Sequence, residues 1–354
     1  TNVDFTNANL QNADLSGTII QGNTFTNAKL MNLTLTAADL SGVNLAGADL
    51  TSSNLTGVNM QNTDLSGTTM IGTTIVFANM SNIKLVNIDL SGHDMEGINL
   101  TNVDFTNTNL QNADLSGATI QGNTFTNAKL MNLTLTAADL SGVDLTGTDI
   151  TNSDFTDANL QNADLSGATI QGNTFTNAKL MNLTLTAADL SGVNLTGANI
   201  TNSDFTNANL QNADLSGATI QGNTFTNAKL MNLTLTSSDL SGVNLVGADL
   251  TSSNLTGVNM RNTDLSGATM LGSTIVFANM SNAKLTNVDL SGHDMEGINF
   301  TKADFTNANL QNADLSGTTI QGNTFTNAKL MNLTLTAADL SGVNLVGADL
   351  TSSN

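Results

Sequence analysis

The sequence predicts a solenoid, a chain that coils around one core and stacks each coil on the last. Three observations predict it. Every residue whose number is a multiple of five, from Phe5 to Leu350, is Leu, Ile, Met or Phe, without a slip. All 30 glycines fall two residues after such a centre, where Asn is the other common occupant. Phenylalanine centres come in pairs 20 residues apart: Phe5 and Phe25, Phe105 and Phe125, Phe155 and Phe175, Phe205 and Phe225, Phe305 and Phe325.

A period of five fits neither standard element. On an α-helix five residues advance by about 500°, so the centres would wind around the axis and form no stripe. On a flat strand five is odd, so the centres would alternate faces. The pattern requires a chain that turns a corner at every unit. Gly and Asn supply the corner because both tolerate the left-handed backbone region. The centre and the small or β-branched residue two before it then point inward, and the other three face water. In the stretch 111–130 the small inward residues are Ala113, Ala118, Asn123 and Ala128, and the large ones are Leu115, Ile120, Phe125 and Leu130.

Units such as Ala113-Asp114-Leu115-Ser116-Gly117 resemble the pentapeptide repeat family, whose motif is roughly A-(D/N)-L-x-x. The resemblance covers the whole chain. It implies an all-β fold, a right-handed quadrilateral parallel β-helix with four units, or 20 residues, per coil. The best-known members of that family mimic DNA and act on gyrase. The Phe pairs support the 20-residue coil, since such a coil puts both rings of a pair on one face in adjacent turns, where they can stack. With coils spaced like strands, about 17–18 coils would make a rod roughly 85 Å long. Residues 1–354 read as one uninterrupted solenoid with 50- and 200-residue super-repeats. The block 51–100, with Met60, Met70, Met80, His93 and Met95, returns at 251–300. The chain opens inside a unit and stops before the next centre, so it is expected to be a window of a longer tract.

The formal net charge is −20, which sets nucleic acid and anionic membranes aside as partners. No apolar run long enough to span a membrane occurs, and there is no Cys for disulfides or thiolate metal sites. Of the acidic residues, every Asp but Asp157 sits just before a centre. With 20 residues per coil, Asp would stack on Asp only at 94/114, 144/164 and 294/314. Elsewhere Asp stacks on Asn, Thr or Lys, with Lys84 between Asp64 and Asp104 and Lys284 between Asp264 and Asp304. Interrupted acidic columns are expected where stacked like charges destabilise. They also weigh against DNA mimicry: the charge spreads to about one per 4 Å, against one per about 1.7 Å in duplex DNA.

Few residues carry chemistry. His93 and His293 lie at the inward position in Ser-Gly-His-Asp-Met-Glu-Gly. A metal cluster with Asp94 and Glu96 would need further His or Cys ligands that the neighbourhood lacks, so an imidazole hydrogen-bonded inside the coil, or pushed out by a local distortion, is expected. Asn23, Asn123, Asn173, Asn223 and Asn323 also point inward and must find partners, with bonds to corner backbone as the expected role. Outward apolar residues are candidate lateral contacts: Met31, Ile71, Met131, Met231, Leu271 and Met331 in one column, and Phe77 and Phe277 on a neighbouring face. Alternatively they are isolated surface residues, with Phe77 folded over Gly57 and Gly97. Thr forms no unbroken ladder of the kind ice binding needs, because Thr24 stacks between Asp4 and Asn44. No Ser/His/Asp set, paired acid or phosphate loop is present.

The expectation is therefore a non-enzymatic structural protein without cofactor or metal: a rigid β-solenoid rod that associates with itself, end to end and laterally, into a filament, fibre or sheath outside the cell or on its surface. One alternative is a cytoplasmic DNA mimic acting on gyrase or another DNA-binding enzyme. Another is the stalk of a surface adhesin.

Overall fold

The computed structural model describes residues 2–354 as two compact units, one reaching Ala178 and the other running Lys179–Asn354. Each unit is a stack of four-sided coils with a two-residue turn at every fifth position. In most coils the outward residue before a centre pairs in parallel with the residue 20 further on, as in Asn9↔Lys29, Asp104↔Thr124 and Asp204↔Thr224. The repeat reads directly as hydrogen bonds: the Leu10 amide donates to the Lys29 carbonyl at 2.9 Å, and the Lys29 amide donates back to Ala8 at 2.8 Å. Corners close by a bond three residues long, as from the Ala13 amide to the Leu10 carbonyl.

That turn requires a left-handed residue at its third position. All 30 glycines have positive φ, and most of the remaining corners are Asn with φ near +60°, such as Asn112 at 60°. Asp157, the one Asp away from the usual position, is such a corner, with φ 59°. Corner Asn residues also stack: Asn107 Nδ2 donates to Asn87 Oδ1 at 3.0 Å, and Asn127 Nδ2 to Asn107 Oδ1 at 3.2 Å.

The core lies where the period places it. Away from the terminal coils, centres and the residues two before them are buried, with Ala128 and Thr148 half-exposed. Four of the five phenylalanine pairs lie wholly inside the described stacks as parallel rings at 4.7–5.1 Å, for example Phe105 on Phe125 and Phe205 on Phe225, and Phe5 on Phe25 completes the set at the first coil of its unit. Phe300 and Phe305 add an edge-to-face contact at 5.0 Å that the 20-residue pairing does not foretell.

Inward polar residues obey one rule. Ser53 Oγ donates to the Leu30 carbonyl, 23 residues earlier, at 2.7 Å and accepts from the Leu33 amide, 20 residues earlier, at 3.0 Å. Thr63 and Thr263 make the first of these bonds, to Leu40 and Leu240. The inward Asn residues make the second: Asn123 Oδ1 accepts from Val103 at 2.8 Å and Asn223 Oδ1 from Ser203 at 2.8 Å. Their role as backbone partners thus holds, although Nδ2 of Asn123, Asn173, Asn223 and Asn323 has no partner among the described residues.

Stacked acids appear as expected, at Asp94↔Asp114, Asp144↔Asp164 and Asp294↔Asp314. Lys84 lies between Asp64 and Asp104, and Lys284 between Asp264 and Asp304. Among the described residues one ion pair forms, Lys284 Nζ to Asp264 Oδ2 at 3.3 Å. Most Asp side chains instead turn inward on their own corner. Asp14 Oδ1 accepts from the Ser16 amide at 2.9 Å and from its hydroxyl at 2.5 Å, and Asp144 binds Thr146 the same way. The side-chain hydroxyl, then the backbone amide, holds each of these carboxyls below the usual carboxylate range.

This packing yields two predictions. Replacing Phe225 by Leu removes a stacked ring and leaves a partial void, lowering stability by about 1–2 kcal/mol; circular dichroism melts of the β signal would detect it, since the chain has no Trp or Tyr. Carboxyls such as Asp14 and Asp144 have folded pKa values below their unfolded ones, so their contribution is complete above about pH 4 and is lost as pH falls through the lowered values. Melting temperature should be flat from neutrality to about pH 5 and decline below about pH 4; a melt series that declines toward pH 6 would contradict this.

Candidate functional site

The eight outward apolar residues singled out from the sequence do not behave as one set. Met31, Met131, Met231 and Met331 are half-buried against their coils and form no exposed ridge. Ile71 and Leu271 are exposed, at 67% and 66%, and Phe77 and Phe277 each at 60%. Ile71 and Phe77 occupy successive corners and flank the outward Thr74; Leu271 and Phe277 flank Thr274 in the same way.

Phe77 and Phe277 are unusual in backbone as well as exposure. Their φ values are 56° and 60°, and every other corner in the left-handed region is Gly, Asn, Ala, Ser, Asp or Lys. A bulky residue there is a true outlier, costing roughly 1–3 kcal/mol unless a neighbour compensates. The neighbour is Gly97: the Phe77 ring fills its corner so closely that a Cβ at 97 would fall 2.5 Å from a ring carbon, and Phe277 does the same to Gly297. Nothing lies within 4 Å of a Cβ at Gly57 or Gly257, so the ring covers one of the two flanking glycines that the sequence offered.

The next coil places acids beside each ring. The Phe77 amide donates to the Glu96 carbonyl at 3.0 Å, and Phe277 to Glu296 at 3.0 Å. Asp94, whose Oδ1 accepts from the Glu96 amide at 3.1 Å, stacks directly on Asp114. In the second unit these groups border a surface groove of about 560 Å³ lined by Phe277, Asp294, Glu296, Asp314, Ser316 and Thr336. In the second unit an aromatic ring thus shares one groove with three carboxylates, and the first unit carries the same residues at the same positions, Phe77, Asp94, Glu96 and Asp114.

His93 sits behind this surface. Its Nε2 lies 2.7 Å from the Met70 carbonyl, 23 residues earlier, which is the bond that inward Ser and Thr make. A carbonyl only accepts, so Nε2 carries the hydrogen. Nδ1 faces the Ser91 carbonyl at 3.3 Å. His293 repeats this with Met270 at 2.8 Å and Ser291 at 3.3 Å. Both ring nitrogens are thus turned to main chain and neither to Asp94 or Glu96. An imidazole is larger than the hydroxyl side chains usual in this slot, and the buried centres around it, Met70 and Met95, are the flexible thioethers suited to an irregular gap.

Two further concavities are present. One apolar void of about 20 Å³ lies in the core of the first unit, lined by Leu, Ile and Phe with no polar anchor for a ligand. A polar groove of about 480 Å³ lies between 123–128 and 144–149, bordered by Thr124, Thr126, Asp144, Thr146 and Asp149. It half-exposes Ala128, whose counterparts Ala28 and Ala228 are buried. No group of three His, Cys, Asp or Glu placed to hold a metal occurs among the described residues, and no helix is long and apolar enough to cross a membrane.

The family model described as pentapeptide repeats (8 copies) matches residues 1–33, 34–72, 56–92, 78–117, 278–317 and 324–354. A second model, pentapeptide repeat region, matches 98–175, 119–195 and 168–250. No curated protein sequence matches. Among solved structures, the chain is similar to HetL of Nostoc sp. strain PCC 7120, a pentapeptide repeat protein involved in heterocyst differentiation regulation, at 25% identity over 77% of this chain and 87% of that one, with a TM-score of 0.23. It is similar to QnrB1, a plasmid-mediated fluoroquinolone resistance protein, at 17% identity over 62% and 90%, with a TM-score of 0.31. A pentapeptide repeat protein of the Arabidopsis thaliana thylakoid lumen matches at 23% identity over 42% and 71%, with a TM-score of 0.17. The family models cover most of the sequence and the coils have the family's form: the chain belongs to the pentapeptide repeat family and has its right-handed quadrilateral β-helical fold.

Proposed function

We propose that this chain is a non-enzymatic structural element that associates with itself by coil-on-coil stacking into a fibre or sheath. The observation that carries this reading is the identity of what each coil offers above and below. Most coils within a unit pair by the same outward amides and carbonyls, and inward Ser, Thr and Asn bond to the main chain of the coil 20 residues earlier. Such a surface is a template for another of its kind, since an open parallel ladder with uncovered core residues is a ready site for further strand pairing.

The remaining side chains fit a stacked assembly. Acid columns interrupted by Asn, Thr and Lys lower the repulsion between coils. Polar groups are used in holding coil to coil: Asp39 binds Gln21 and Asn59, and Asp239 binds Gln221 and Asn259. A charge this dispersed supports the fibre reading over DNA mimicry.

Electron microscopy of the full chain at high concentration tests the proposal. Filaments with a cross-β spacing of about 4.8 Å along their axis are expected. Discrete particles at every concentration would overturn the self-stacking reading. Stoichiometric inhibition of DNA supercoiling by such particles would favour the DNA-mimic alternative.

A further inference from the structure

We propose that Phe77 and Phe277, with the acids beside them, form two equivalent docking sites for a cationic, amphipathic segment of another protein, in which an apolar side chain packs against the ring and Lys or Arg engages the carboxylates. The inference is independent of self-stacking, because it uses the outward ring and carboxylates, whereas the coils are joined there through main chain, as from the Phe77 amide to the Glu96 carbonyl.

Away from the terminal coils, the large apolar side chains that lie open to water are Ile71, Phe77, Leu271 and Phe277, and they fall as one pair in each unit. The ring stands where the backbone disfavours it, at a left-handed corner that Gly, Asn or Ser fills almost everywhere else. The fold gains no core burial in return, as each ring covers one glycine and remains 60% exposed. A residue that is locally unfavourable and contributes little to the core has a role at the surface.

Charge selects the occupant. Phe277 shares a groove with Asp294, Glu296 and Asp314, Phe77 has Asp94, Glu96 and Asp114 at the same positions, and no Lys, Arg or His side chain pairs with these acids among the described residues. Asp94 stacks on Asp114, and Asp294 on Asp314, at two of the three places where like charges are neighbours. Such a pair is relieved by an incoming cation. An exposed aromatic face beside carboxylates suits Lys or Arg, which the ring attracts as well. A second copy is a poor complement, since the chain has 9 basic residues against 29 acidic ones. Nucleic acid and anionic lipid would meet the same repulsion. In the second unit the groove of about 560 Å³ beside Phe277 gives the apolar anchor a seat.

The test uses the full chain and a fluorescein-labelled decapeptide of alternating Lys and Leu, read by fluorescence anisotropy. The parent protein should bind two peptides per chain. The double variant Phe77→Asn/Phe277→Asn places the residue usual at this corner, so it should melt no lower than the parent while its affinity falls by about tenfold. Glu96→Gln/Glu296→Gln should weaken binding and reduce its dependence on salt. Unchanged affinity in the Phe→Asn variant would mean diffuse attraction to an acidic surface and would overturn the proposal. So would equal binding of a Lys-Ser decapeptide, which has no apolar anchor. Sedimentation showing that Phe→Asn abolishes self-association in the absence of peptide would assign the site to a second copy, and would overturn it as well.

Discussion

A left-handed residue at every fifth position is the constraint on which this structure depends. Without it the chain cannot turn between sides, and without four turns per coil no amide meets the carbonyl 19 or 21 residues away. The constraint explains most of the composition. Gly reaches positive φ without a Cβ, and Asn reaches it with a short amide that bonds to its neighbours. Gly and Asn therefore crowd one position and leave the core to Leu, Ile, Met, Phe and Ala. Corner Asn residues offset some of the cost by stacking, as along Asn87, Asn107 and Asn127. Asp has the complementary role just before the centre, where its carboxylate takes the free amide at the start of the next turn. The acidity of the chain is thus largely turn chemistry repeated at many corners.

Inside the coils a second constraint operates, because every main-chain group there must be bonded. The inward small position offers a donor's task toward the centre carbonyl 23 residues back and an acceptor's task toward the amide 20 residues back. Ser53 performs both, Asn223 the second, and His93 the first. This common geometry accounts for three chemically different residues in one slot. It also accounts for the histidines: each imidazole is occupied as a large substitute for a hydroxyl, with methionines taking up the misfit. The unpartnered Nδ2 atoms of the inward Asn residues show the limit of the scheme, since an amide brings a second donor that the slot does not use.

Much of this was legible because the period is strict. Corner positions, inward positions, the 20-residue pairing of the phenylalanines and the three stacked Asp pairs all follow from counting, and the structure agrees. What counting misses depends on side-chain reach. Sequence adjacency puts Lys84 and Lys284 each between two Asp, yet Lys284 alone closes to an ion pair. Long exposed side chains lose entropy for little gain, so stacking does not oblige them to pair. The methionine column reads as an exposed ridge, but a flexible thioether lies down against its coil where the shorter, branched Ile71 and Leu271 do not. Phe300 against Phe305 joins two sides of one coil, a contact invisible to a search at intervals of 20. The groove between 123–128 and 144–149 has no sequence signal in the repeat itself; Asp144 stands there where the neighbouring copies have Asn44, Asn194 and Asn244.

The two copies of the exposed aromatic site sharpen the distinction between building and function. The blocks 51–100 and 251–300 differ at eight positions, among them Thr68 and Ala268, Ile71 and Leu271, Ile83 and Ala283, and Leu100 and Phe300. Each of these changes keeps the size or polarity class that its position tolerates, so the coils stack regardless. Both blocks nevertheless keep Phe at a corner where Asn or Gly would be more stable, with a Gly in the next coil to make room for the ring. Duplication supplies the second copy, but stability gives no reason for either copy to hold it. The corner rule that organises the molecule is thus also what exposes the exception. In a fold whose every fifth residue is chosen for its backbone, a side chain that violates the choice twice, in full view of water and beside three acids, is best accounted for by something outside the chain that touches it.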